Sequence, residues 1–240
     1  MYQHCLLIYS DYSIGKRIAF HKSYESVEEM WQFFDFSELI KHKFKQLTFS
    51  FHHIQTEVDD VNLIERYDKF FKGIEYYSEV ESFISLIEED TTIKPIDIVK
   101  MILCKKSYTQ LEIEKILYFC YCEYLKICKK PLFKEEFEAW TYGPVMPEVY
   151  QELRRFNRSK ITIDEKDKAI VWAKAIRFED YDKIKEAIDI TIQKYGEYSS
   201  GQLVSKTHEK GSPWDRVFKN GEGQNDIISK EIIEEYIEAV

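Results

Sequence analysis

The sequence predicts an α+β protein, with a mainly helical C-terminal domain over 91–240 preceded by a small mixed α/β region over 1–90. Three observations predict it. Chain-breaking residues are scarce, 8 Gly and 5 Pro in 240 residues, while aromatics reach 15%, a balance that favours a packed, helix-rich core. Strict apolar/polar alternation occurs over 46–53, and the rest of the chain is dominated by helical spacing. Composition shifts at Asp90-Thr91-Thr92, where an acidic region gives way to a charge-balanced one.

Taken in order, Cys5–Tyr9 and Arg17–His21 are strand candidates. Ser26-Val27-Glu28-Glu29 fits a capping box that opens a helix through Met30 and Phe34. Leu47, Phe49 and Phe51 alternate with Thr48, Ser50 and His52, which predicts a strand with one buried face. On that parity His53 continues the buried face and His52 points to solvent. Beyond residue 57 the spacing of Leu63, Tyr67, Phe70, Phe71 and Ile74 predicts an amphipathic helix. After Gly73 the pattern Val80, Phe83, Ile84, Ile87 predicts another.

Pro95 suits the first turn of a helix reaching about Cys104. Thr109 and Glu112 form a second capping box before a strongly apolar helix ending at Lys129-Lys130-Pro131. Phe137 to Pro144 must be extended or a turn, because the residue before a proline avoids helical geometry. Pro147 begins a helix ending near Phe156, and 160–172 reads as a short hairpin or irregular excursion. A long helix carries Ile184, Ile188, Thr191, Ile192 and Tyr195, with Gly196 as its cap. Ser199 and Gln202 cap the next helix, Gly211 to Trp214 reads as a turn, and Ser229 to Val240 as a final amphipathic helix.

The net charge of −9 is unevenly placed. Residues 57–90 carry 11 acids against Arg66, Lys69 and Lys72, whereas 91–240 carry 26 acids and 25 bases. Phosphate backbones are bound by Lys and Arg, so nucleic acid is disfavoured as a partner, and the acidic stretch suits a basic one. Asp59, Asp60, Glu65 and Asp68 are its candidate contacts. The bland alternative is a solvated helix face.

No apolar run approaches the roughly 18–20 residues of a membrane helix, and MYQHCLLIYSDY lacks the features of a secretory signal. Five cysteines without framework spacing read as reduced thiols in a cytoplasmic protein. Cys120 and Cys122 lie two apart on a predicted helix and cannot converge on one metal. No phosphate-binding loop or paired-histidine motif is present, and His208 lacks an evident acid and nucleophile, so no catalytic residue, metal or cofactor is expected. Arg154-Arg155-Phe156-Asn157-Arg158-Ser159-Lys160 is the one basic run. Its cations suit phosphate contacts, and the simpler reading is a helix C-terminus favouring positive charge.

Several blocks combine in a distinctive order. Leu111 to Cys120 reads LEIEKILYFC and contains Lys115 and Tyr118. Pro131-Leu132-Phe133 follows, then Ala139-Trp140-Thr141-Tyr142-Gly143-Pro144. Downstream come Tyr195-Gly196, Thr207-His208-Glu209, Ser212-Pro213-Trp214 and Asn225 to Ile228. Over about 94–240 this resembles the Panacea, or SocA-like, antitoxin domain, also labelled phage-associated or GepA-like. One departure is visible: family members commonly carry Gln where this chain has Glu114.

The resemblance implies a Panacea-like helical domain that neutralises a toxin by binding it, without catalysis, and in one branch delivers it to a Clp-type protease. A cognate toxin, expected to be basic, is thus the implied partner, with such a protease as a second. Other readings are a phage-borne factor binding a host defence protein, and a nucleic-acid-binding operon regulator. Trp140, Tyr142 and Trp214 are of the type that anchors interfaces, although large aromatics in turns also close cores. Gly143, Pro144 and Pro213 are expected to shape turns.

Overall fold

The computed structural model describes residues 1–11 and 15–237, and the chain divides into two compact units, Met1–Thr92 and the part from Ile93 on.

The N-terminal unit is built on strand β1 (Tyr2–Asp11), which forms a hairpin with β2 (Lys16–Tyr24). Helices α1 (Val27–Met30) and α2 (Gln32–Lys43) follow, then β3 (Ser50–Thr56), the single-turn α3 (Ile64–Tyr67), β4 (Ile74–Tyr77) and α4 (Val80–Thr91). The sheet order is β3-β1-β2-β4, antiparallel except for the parallel β2–β4 pair. The run Cys5-Leu6-Leu7-Ile8-Tyr9 is buried throughout because β1 is central and covered on both faces. Cys5, Leu7 and Tyr9 pack with Phe33 and Ile40 of α2 and Phe83 and Ile87 of α4. Leu6 and Ile8 pack on the other face with Ile64, Phe71 and Ile74. The Tyr9 hydroxyl donates to Asp90 at 2.6 Å, tying the end of α4 to the central strand.

Two expectations for this unit are corrected. The strand expected over 46–53 begins at Ser50 and is an edge strand. Phe51 is opposite Leu7 but lies partly exposed against Phe34, so the edge leaves this face half covered. His52 is the half-buried histidine, between the rings of Phe70 and Phe71, while His53 is exposed and bonds Gln3 at 2.8 Å. The helix expected over 63–74 is instead two 3₁₀ turns around one turn of α-helix. Asp60 accepts from the Asn62 N–H and Asp68 from the Phe70 N–H, each restarting the chain. Gly73, at φ +74°, then turns it into β4.

The C-terminal unit begins with α5 (Pro95–Lys105) and α6 (Gln110–Cys128). A β-hairpin of β5 (Phe137–Trp140) and β6 (Gly143–Val145) precedes α7 (Pro147–Leu153), which ends in a 3₁₀ turn over Arg154–Phe156. Helices α8 (Glu165–Ala175), α9 (Tyr181–Tyr195), α10 (Ser200–Thr207) and α11 (Pro213–Phe218) lead to the short β7 (Ile227–Ile228) and α12 (Lys230–Tyr236). α6 is the axis of this unit, buried on every side from Ile113 to Leu125. Its capping box forms as expected, with Glu112 N–H donating to Thr109 and Thr109 N–H to Glu112. Phe119 stacks on Tyr195 of α9 at 4.3 Å. Strand β5 is central in the second sheet, between β6 and β7.

Here too the structure corrects the sequence reading. Much of the expected hairpin or excursion over 160–172 is α8: Asp164 caps it by accepting from the Asp167 N–H, and Lys174 pairs with Asp97 of α5 at 3.0 Å. Gly196 is the C-cap of α9 as expected, but in a right-handed conformation (φ −63°). Pro213 is the first residue of α11, with Ser212 as its cap. The expected final helix is present to Tyr236, and 238–240 fall outside the described residues. No helix among the described residues is long and apolar enough to cross a membrane.

Candidate functional site

The separated sequence blocks meet around the β5–β6 hairpin. Lys115, fully buried on α6, donates its ammonium to the Pro144 carbonyl at 2.6 Å. Its neighbour Glu114, also buried, accepts from the Met146 N–H at 3.1 Å. One turn of α6 thus holds the outgoing strand by two backbone groups. Burial raises the Glu114 carboxyl pKa and lowers that of the Lys115 ammonium, and each charge partly opposes the shift of the other. Glu114 Oε1 has no hydrogen-bond partner, an unusual cost for a buried carboxylate.

Gly143 closes the hairpin turn at φ +101°, a conformation that favours glycine. A Cβ there would also lie 2.5 Å from Thr207 Oγ1 and 3.2 Å from Lys115 Cε, so the turn, α10 and α6 touch at this point. The Trp214 indole N–H donates to the Trp140 carbonyl at 2.9 Å. His208 lies flat on Trp214, with ring centroids 3.6 Å apart, and Phe218 stacks on Trp214 at 4.4 Å. Ser212 donates its hydroxyl to the Thr207 carbonyl. Burial, followed by the nearby Lys115 charge, lowers the His208 pKa, and its Nε2 is buried without a partner.

The three aromatic anchors therefore differ in setting. Trp214 is 6% exposed and sits in the core. Trp140 is half-buried, its indole N–H donated to Glu138 at 2.8 Å and its ring against Tyr150. Tyr142, at the hairpin tip, is 66% exposed. Pro144 is buried on β6, and Tyr118 is buried edge-on to Phe137. The charged pair Glu114–Lys115 is the part that apolar periodicity missed, although two charges inside an otherwise apolar helix were a visible signal.

The N-terminal unit holds the other predicted contacts. Asp59, Glu65 and Asp68 are exposed and Asp60 is half-buried. Asp60 and Asp68 also spend an oxygen each on capping. On either side of Asp68, Tyr67 is 60% and Phe70 45% exposed, so acids and aromatics share one short irregular segment. The Arg17 guanidinium lies 4.9 Å over the Phe70 ring and bonds the Lys72 carbonyl, which fixes this segment against β2. Sequence reasoning found the acids and not the exposed aromatics, because it assigned Tyr67 and Phe70 to a buried helix face.

Nothing among the described residues forms a group of three or more His, Cys, Asp or Glu able to hold a metal ion. Cys120 and Cys122 are buried free thiols whose pKa values burial pushes upward, the thiol form being favoured.

Residues 113–215 match the family model described as Antitoxin SocA-like, Panacea domain. Over 123 residues it is 34% identical to the Antitoxin SocA of Caulobacter vibrioides (strain NA1000 / CB15N). That alignment spans 49% of this chain and 63% of the relative's length. No solved structure matches the chain.

Proposed function

We propose that this protein is an antitoxin that neutralises a toxin by direct protein–protein binding. The observation that carries the reading is the likeness to an antitoxin over a stretch whose separated blocks converge on one hairpin. Lys115, Glu114, Gly143, Thr207 and Trp214 hold that hairpin and leave Tyr142 standing out from it. A rigid turn presenting one amphipathic aromatic is well suited to anchor a partner, since little side-chain entropy is lost on binding.

The N-terminal unit supplies specificity in this reading. Its segment 57–70 presents Asp59, Glu65 and Asp68 beside Tyr67 and Phe70, which suits a basic toxin surface with apolar patches. Delivery of the bound toxin to a Clp-type protease is a second step compatible with the same complex, in a protein acting in the cytoplasm.

The test is co-expression with the product of the neighbouring open reading frame. Growth rescue with a co-purifying stoichiometric complex is the expected result. Rescue with the toxin disappearing, and restored in a protease-deficient host, indicates delivery. A toxic neighbour that is neither rescued nor bound contradicts the proposal.

A further inference from the structure

The chain uses lysine as its general surface cation: 27 of its 34 basic residues are Lys and seven are Arg. Three of the seven arginines, Arg154, Arg155 and Arg158, fall within five residues, with Lys160 next to them. All four side chains are exposed. None is in an ion pair with a carboxylate of the described chain, whereas Lys105, Lys130, Lys174 and Lys194 of the same unit all are. Glu197 feels the Lys160 charge but is bonded to Lys106 at 2.7 Å. A helix C-terminus accounts for Arg154 and Arg155, since the dipole acts within the last turn; Arg158 and Lys160 lie beyond it.

The turn that carries them is fixed. The Asn157 N–H donates to the Arg154 carbonyl at 3.2 Å and the Ser159 N–H to the Phe156 carbonyl at 2.9 Å. Ile161, buried, is bridged to Tyr108, and Phe156 is half-buried against the core. Asn157, at φ 49° and ψ −118°, occupies the first central position of a type II′ turn, where glycine is usual. A non-glycine residue there costs about 1–3 kcal/mol of backbone strain. The surrounding bonds hold it, so the cations are displayed in a set arrangement. Arg155 lies over Phe156 at 4.9 Å, which orients its guanidinium.

We propose that this arginine turn is a second binding surface, which captures a protein segment bearing clustered oxyanions, either carboxylates or phosphorylated side chains. Guanidinium forks bind such groups bidentately, and compact Arg clusters are a recurring means of recognising acidic and phosphorylated motifs. A nucleic-acid duplex is the less favoured occupant. It rewards a stripe of cations along several phosphates, and here four cations occupy one turn of a chain with net charge −9. The surface is distinct from the acidic segment assigned to the toxin, so either assignment can fail without the other.

The experiment is fluorescence anisotropy of the full chain with three labelled probes: a short glutamate-rich peptide, its phosphoserine counterpart and a DNA duplex. The expected result is saturable binding of one or both peptides, weakened about tenfold or more in R154Q/R155Q/R158Q and to a smaller extent in R154K/R155K/R158K, which keeps charge and loses the forks. Tighter binding of the phosphopeptide identifies phosphate as the preferred group; equal binding identifies clustered negative charge. Unfolding midpoints of the variants should match the parent, because all three side chains are exposed. Peptide binding unchanged in the glutamine variant, no peptide binding at all, or DNA bound more tightly than both peptides would overturn the proposal.

Discussion

The two units bury charge in different places. In the N-terminal unit the buried charged side chains, Asp11 and Asp90, sit near element ends, Asp90 accepting from the Tyr9 hydroxyl, and apolar residues on both faces of β1 make the core. In the C-terminal unit a Lys and a Glu are placed inside, on the central helix, to hold the strand that leaves the hairpin. The stretch matched to the Panacea domain thus contains a buried polar framework as well as an exposed tip, while the acidic surface at 57–70 lies outside it. The sequence blocks that carry the resemblance mark mainly buried scaffold positions, such as Lys115, Gly143, Thr207 and Trp214, and few exposed ones, such as Tyr142.

Breaking the framework should have the largest effect. Lys115→Met leaves Glu114 buried without its counter-charge and frees the Pro144 carbonyl, so a loss of about 3–5 kcal/mol is expected in urea unfolding. Lys115→Met with Glu114→Gln should recover much of that loss, because the orphaned charge is gone. Gly143→Ala comes next. It combines positive φ with a Cβ 2.5 Å from Thr207 Oγ1, and about 2–4 kcal/mol should be lost.

The N-terminal unit should respond instead to pH. His4 and His21 bond ring to ring at 3.0 Å, His4 also contacts Thr56, and Tyr76, Asp59 and Lys22 complete the surroundings of His21. Burial, then the His4 neighbour, lowers the His21 pKa from 6.5 to about 4. The unfolded chain therefore binds this proton first as pH falls, and the unit loses up to about 3 kcal/mol between pH 6.5 and 4. His21→Gln should flatten that part of the stability–pH curve, and an unchanged slope would assign the acid sensitivity elsewhere.

Tyr142→Ala is expected to have the smallest effect on stability, within about 0.5 kcal/mol, as for an exposed side chain without structural bonds. It sharpens the contrast between scaffold and contact, because its effect on neutralisation should be large.

Much of this organisation was legible in the sequence. The unbroken run Cys5 to Tyr9, the capping boxes at Thr109 and Ser199, and the helical stripes of α4, α6 and α9 follow from local rules, and the structure places them accordingly. What was illegible depended on competition between local and distant interactions. Asp60 and Asp68 cap turns and cut a stretch with helical spacing into pieces. The Lys174–Asp97 pair and the Asp164 cap hold α8 where 160–172 reads as a short hairpin or irregular excursion. At the site, Gly143 and Pro144 were readable as turn formers, and Tyr142 and Trp214 were indistinguishable as aromatics. Which one is exposed is decided by the hydrogen bond from Trp214 to Trp140 and the stacking on His208, both between distant parts of the sequence.

The central claim is neutralisation by direct binding, and the most direct test is the affinity of the purified chain for its toxin, measured beside two variants. The parent should form a stoichiometric complex. Tyr142→Ala and D59K/E65K, which spare the capping Asp60 and Asp68, should each weaken it about tenfold or more while unfolding as the parent does. Rescue of growth without any measurable complex, or both variants binding as the parent does, would contradict the account.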